Sequence, residues 1–176
     1  MIISNMINHL KTIVKHRHLV MKYCFKAGIP IQGLLHDLSK YSPSEFWVGV
    51  KYYQGTRSPN VAERQDKGFS SAWMHHKGRN KHHHEYWFDN DRSPIGLKPV
   101  EMETKYVIEM FCDRVAASKV YKGDEYTDST ALDYFNGHDH RINMHPNTKE
   151  LIQKLLQMLA DEGEEKTFEY IKKMKK

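Results

Sequence analysis

Tyr106-Val107-Ile108-Glu109-Met110-Phe111-Cys112-Asp113-Arg114-Val115-Ala116, the middle of a longer run from Glu101 to Tyr121, decides the fold. Its apolar residues recur at helical rather than alternating intervals. An α-helix turns about 100° per residue, which places Met102, Tyr106, Met110, Ala117 and Val120 within about 60° of Asp113 on the helix circumference. A carboxylate projecting from an apolar arc costs several kcal/mol, roughly, unless a cation or strong donors meet it. Arg114 points elsewhere on the helix and is not that partner, so Asp113 is either a cation ligand or one half of a buried salt bridge.

The same periodicity extends outward to Ile2–Phe25, Ile31–Tyr53, Thr148–Ala160 and Glu164–Met174, while alternating strand patterns are nearly absent. The expected fold is all-α, a single-domain helical bundle over residues 1–176. Gly28-Ile29-Pro30 closes the first helix and opens the second, Ser42-Pro43-Ser44-Glu45 reads as a break followed by a new helix start, and Gly163 separates the last two helices. Gly55–Gly68 and Asp89–Pro99 read as polar connections. A longer stretch, Lys122–Pro146, carries His138, Asp139, His140 and His145 and reads as an irregular loop or a lid. The helices of Thr148–Met174 either cap the bundle or form a homodimer interface.

Composition narrows the function. No apolar run approaches the ~20 residues of a membrane span, and the spaced apolar pattern of Met1–Val14 lacks the small-residue cleavage site of a signal peptide. A cytoplasmic protein is expected. Cys24 and Cys112 lack C-x-x-C spacing and read as reduced core residues. The net charge of +5 is spread along the chain. It fits a basic fringe around a small anionic substrate at least as well as nucleic-acid binding.

The chemistry lies in Gly33-Leu34-Leu35-His36-Asp37-Leu38-Ser39-Lys40. On a second helix Leu34, Leu35 and Leu38 would pack, while His36 and Asp37, about 100° apart, would both reach one cation lodged against the helix. An imidazole beside a carboxylate suits a borderline divalent ion. Lys40, one turn after His36, would hold a phosphate oxygen or stabilise developing charge. On the first helix His9 and His16 share a face and His18 lies at the other edge of the apolar arc; His16 is the chosen ligand. A third source is Trp73–Trp87, with His75, His76, His82, His83 and His84 within ten residues. Gly78 and Asn80 mark a turn there, so that His75 or His76 can converge with His82 or His83. Lys77, Arg79 and Lys81 add charge suited to a phosphorylated substrate.

Leu34-Leu35-His36-Asp37-Leu38-Ser39-Lys40 resembles the central motif of the HD-domain metal-dependent phosphohydrolase superfamily, and Asp113-Arg114-Val115 is similar to the segment bearing its last aspartate. His-Asp-Leu-Ser-Lys-Tyr-Ser-Pro together with the histidine-rich stretch resembles, more narrowly, an uncharacterised family of bacterial and phage proteins. The resemblance implies His16, His36, Asp37, His76, His83 and Asp113 as ligands of one or two divalent ions (manganese, iron, cobalt, nickel or zinc), with Asp37 bridging. It also implies hydrolysis of a nucleotide or other small phosphorylated substrate, with Asp37 and Lys40 as catalytic residues and Lys40 and Arg79 as substrate contacts. It extends to di-iron oxygenases such as myo-inositol oxygenase, and a non-catalytic metal- or nucleotide-binding module is the third reading.

Overall fold

The first helix, α1 (Ile2–Lys26), carries one buried stripe, His9, Ile13, His16, Val20, Tyr23 and Cys24, at steps of three and four residues. Its C-terminal half is apolar and enters the core, whereas its N-terminal half brings histidines to the same side of the helix. The helix stops in a Schellman turn. Gly28 adopts φ 75°, Ile29 N–H bonds to Cys24 O at 2.8 Å and Gly28 N–H to Phe25 O at 3.1 Å. The computed structural model describes residues 2–92, 94, 96–137 and 143–174.

After α1 come α2 (Pro30–Leu35), a 3-10 turn at Leu38–Tyr41, α3 (Pro43–Lys51), α4 (Pro59–Lys67) and α5 (Ser71–Lys77). A hairpin follows, β1 (Phe88–Asn90) paired antiparallel with β2 (Leu97–Pro99) in the register Phe88↔Pro99. The chain ends in α6 (Thr104–Lys122), α7 (Thr130–Gly137) and α8 (Pro146–Met174), the last interrupted at Gly163 with φ 80° and ψ 175°. Among the described residues these eight helices and one small hairpin make an all-α bundle. None of the helices is long and apolar enough to cross a membrane.

The bundle is organised on α6, which packs against α1 on one side and α7 and α8 on the other. Val107, Ile108, Met110, Phe111, Cys112, Val115 and Ala116 are all buried, as are Val20 and Tyr23 of α1 and Ile152, Leu155, Leu156, Leu159, Phe168 and Ile171 of α8. Phe168 stacks on Tyr23 at 5.5 Å between centroids and meets Phe111 edge-on at 5.9 Å. Cys24 and Cys112 are buried free thiols. The apolar face of α8 is thus spent on capping the bundle.

Three expectations need correction. Within Ile31–Tyr53 a new helix starts at Pro43 as expected, but the preceding helix ends earlier, at Leu35, and a 3-10 turn fills the gap, because Asp37 leaves the right-handed region (φ 54°). Gly55–Gly68 contains α4, whose only buried residues are Ala62 and Glu63, too few to produce a periodic pattern. Lys122–Pro146 contains α7, anchored by Ala131, Leu132 and Phe135. His138, Asp139 and His140 lie outside the described residues.

Glu63 explains how α5 is held. Fully buried, it accepts from Ser70 Oγ (2.7 Å), Ser71 Oγ (2.6 Å), Ala72 N–H (3.3 Å) and Lys67 Nζ (3.1 Å). Ser70 in turn caps α5 by accepting from Trp73 N–H. Burial opposes ionisation of Glu63, but these donors outweigh it and hold the carboxyl at about 2. A depressed carboxyl stabilises the fold above its unfolded pKa, and that contribution is lost as pH falls through the folded value. Replacing Glu63 with Ala should therefore lower unfolding free energy by about 2 kcal/mol at pH 7 in urea titrations. The deficit relative to wild type should shrink between about pH 4.5 and pH 2; an equal deficit throughout that range would contradict this account.

Candidate metal centre

His36 and Asp37 sit where α2 ends. Arg17, projecting from α1, donates from Nε to His36 O (2.8 Å) and from Nη2 to Leu34 O (3.1 Å), so the freed carbonyls of the helix end are met by a guanidinium. Asp37 then takes the left-handed conformation, φ 54° and ψ 26°, alone among the described non-glycine residues. Such a backbone costs of order 1 kcal/mol and is retained where the surroundings over-determine it. The two residues therefore do not share a helix as expected; their side chains meet off the end of α2, with His36 Nε2 3.3 Å from Asp37 Oδ2.

Asp37 is 1% exposed, and its two oxygens face two different ligand groups. Oδ2 lies 3.7 Å from His16 Nε2, and Asp113 Oδ1 lies 3.0 Å from His16 Nε2 and 3.7 Å from His36 Nε2. Oδ1 lies 3.2 Å from His76 Nε2 and 3.5 Å from His82 Nε2. His16, His36, Asp37 and Asp113 each offer an atom within 4.8 Å of the others, and so do Asp37, His76, His82 and His83. Four ligands about 2.1 Å from a common centre in tetrahedral array stand roughly 3.4 Å apart, so the first group already has the spacing of a coordination shell.

The orientation of the histidines strengthens that fit. Glu109 accepts from His36 Nδ1 at 2.8 Å and from His82 Nδ1 at 3.1 Å. Glu45 accepts from His76 Nδ1 at 2.7 Å and His75 Nδ1 at 2.6 Å. A carboxylate can only accept, so Nδ1 carries the proton and the Nε2 lone pair is turned inward, as metal-ligating imidazoles require. His16 Nε2, His36 Nε2, His82 Nε2, His83 Nε2 and Asp37 Oδ1 are buried without a hydrogen-bond partner among the described residues. So many buried lone pairs and carboxylate oxygens converging at one point form a site that could hold a cation. Lys40 Nζ makes an ion pair with Asp37 Oδ2 at 2.6 Å.

The local electrostatics divide the ligands. Burial opposes the charge on Asp37, yet His36 and Lys40 hold its carboxyl well below the usual range, and His16 and His36 do the same for Asp113. Burial, reinforced by His82 and His76, pushes His83 well down, and burial with Lys40 lowers His16; both stay neutral donors of a lone pair. His36 and His76 are raised, since Asp37 and the glutamates outweigh their burial.

All six sequence-chosen ligands meet here. His82, left open by the sequence, joins them, because the Asn80 side chain donates to His76 O (2.8 Å) and Ser39 Oγ (2.9 Å) and folds the following turn back onto the site. His18 is exposed, and His84 pairs with Glu85 at 3.2 Å. His9 lies apart, packed on Phe46 and Tyr53; burial and the nearby Lys40 lower its pKa to about 4. Arg79 is exposed, donates only to His75 O at 3.3 Å, and does not line the cavity above the cluster, so its expected substrate contact is withdrawn. Sequence reasoning missed Glu45 and Glu109. Glu109 was detectable, four residues before Asp113 and hence on the same face of an apolar helix; Glu45 gave no signal.

The chain is thus a helical bundle enclosing a buried histidine–carboxylate cluster with two lobes that share one aspartate. Residues 5–158 match DUF5662, a family of unknown function, and the chain belongs to that family. No curated protein and no solved structure matches it.

If the Glu109 contacts orient two ligands, replacing Glu109 with Gln should weaken manganese or zinc binding by about 10–100-fold in calorimetric titration while leaving helix content unchanged. His82→Ala should remove about one equivalent of metal, whereas His84→Ala should remove none.

Proposed function

We propose that this protein is a metal-dependent phosphohydrolase of the HD type, acting on a small phosphorylated substrate, with two divalent ions held by His16, His36, Asp37 and Asp113 and by Asp37, His76, His82 and His83. The observation that carries the reading is the splitting of Asp37 between two buried lone-pair clusters at the floor of a cavity of about 960 Å³. A volume of that order accommodates a nucleotide-sized molecule. Histidine-rich lobes favour manganese, iron, cobalt, nickel or zinc over magnesium.

Bound ions of this kind supply Lewis acidity and a water that ionises near neutral pH. The chain's own residues supply the rest. Glu109 orients His36 and His82, and Glu45 orients His76, so three imidazoles of the two sites are preorganised. Lys40 reaches the same floor, placing a fixed ammonium where charge develops on a phosphoryl oxygen. The walls, with Tyr53, Trp73 and Tyr121, restrict water around the reacting group.

The test is elemental analysis of untagged protein followed by hydrolysis assays on phosphomonoesters, phosphodiesters and nucleotides with each metal. Two equivalents of metal and metal-dependent phosphate release are expected. Asp37→Ala should abolish both, and Lys40→Met should lower kcat by about 10²-fold with metal content retained. A fully loaded protein that hydrolyses none of these substrates would overturn the hydrolase reading, and an iron pair with substrate-dependent oxygen consumption would replace it with the oxygenase.

A further inference from the structure

Arg114 follows Asp113 on α6 and belongs to the same cavity wall, and the carboxylates nearest to it, Asp113 and Glu85, act on it only at a distance, without an ion pair among the described residues. Its Nε is buried and has no hydrogen-bond partner. Asp113 turns its oxygens toward His16, His36 and His82 instead. Glu85, the other nearby carboxylate, pairs with His84 at 3.2 Å. The guanidinium lies over a ring face, that of Phe135, at 5.3 Å. Phe135 is fully buried, so the ring fixes the plane of the fork. A guanidinium whose Nε is buried without an acceptor is costly, and its planar array of donors matches an oxyanion.

We propose that Arg114 is an anion-recognition residue, gripping a second oxyanion, carboxylate or phosphate, of the substrate whose reacting phosphate lies at the Asp37 clusters. The substrate is therefore at least doubly anionic, with its second group directed toward α7, where Thr130, Asp133 and Tyr134 line the cavity. This assignment rests on the hydrolase reading for the position of the reacting group, but the anion contact itself is independent of any metal. Lys40 at the Asp37 clusters and Arg114 on the α6 wall stand apart in the cavity lining, which Arg57 and Lys122 also join, so that one molecule could meet cations with more than one anionic group.

The test uses full-length protein stripped of metal and dialysed free of chelator, titrated calorimetrically with inorganic pyrophosphate and, separately, with succinate at low ionic strength. Wild type should bind at least one of these, and which one binds distinguishes a phosphate from a carboxylate. Arg114→Gln should weaken that binding by at least about tenfold, Arg114→Lys should fall between, and Arg79→Gln should match wild type. If Arg114→Gln does not fold, the same comparison is made between wild type and Arg114→Lys through the rise in Tm that each probe produces. Unchanged binding in a folded Arg114 variant, or no binding of either probe to wild type, would overturn the proposal. Probe binding through Arg114 in a protein that hydrolyses nothing would leave this contact standing while the hydrolase reading fell.

Discussion

The burial of the Asp37 carboxylate is the constraint to which the rest of the structure answers. A charge taken out of water must be met by opposite charge or by donors of good geometry, or it shifts to its neutral form. Here the neighbours keep it ionised: His36, Lys40 and His76 surround it, and its own backbone is twisted into the left-handed region to present both oxygens. Arg17 steadies that twist by binding the carbonyls just before it. The 3-10 turn that follows brings Lys40 back to the same carboxylate. Each of these local features is explained by the one buried charge.

Helix α6 joins this centre to the stability of the bundle. Its apolar residues form the middle of the core, and Glu109, Asp113 and Arg114 leave the same helix within two turns. A rigid, well-packed element is the best support for ligands that must be held within a fraction of an ångström. The arrangement also means that core and site are not energetically separate: a cavity made at Phe111 or Val115 would loosen the carboxylates beside them.

The long helices were legible because their apolar periodicity runs for many turns, and Asp113 was legible as an ionisable residue inside such a pattern. The His36-Asp37 pair announced itself as chemistry but not as geometry, since the sequence reads as helix through a point where the chain leaves it. Short helices such as α4 and α7 bury two or three residues each, less than a periodicity can register. The choice among five clustered histidines depends on how one turn is pinned by Asn80, and the pairing of Glu45 with histidines thirty residues away depends on the packing of α3 against α5. Contacts of that kind exist only after the chain has folded.

Gly49 shows how far the demands of the centre extend. A Cβ there would stand 2.1 Å from His9 Nε2, so the His9 ring occupies the space that a side chain at position 49 would need. Glu45 lies one turn earlier on the same face of α3 and orients His76. A side chain at position 49 would have to push aside the His9 ring, which sits on the helix that carries His16, or move α3 itself. The smallest residue on the helix that orients one lobe thus leaves room for the His9 ring in the cavity lining.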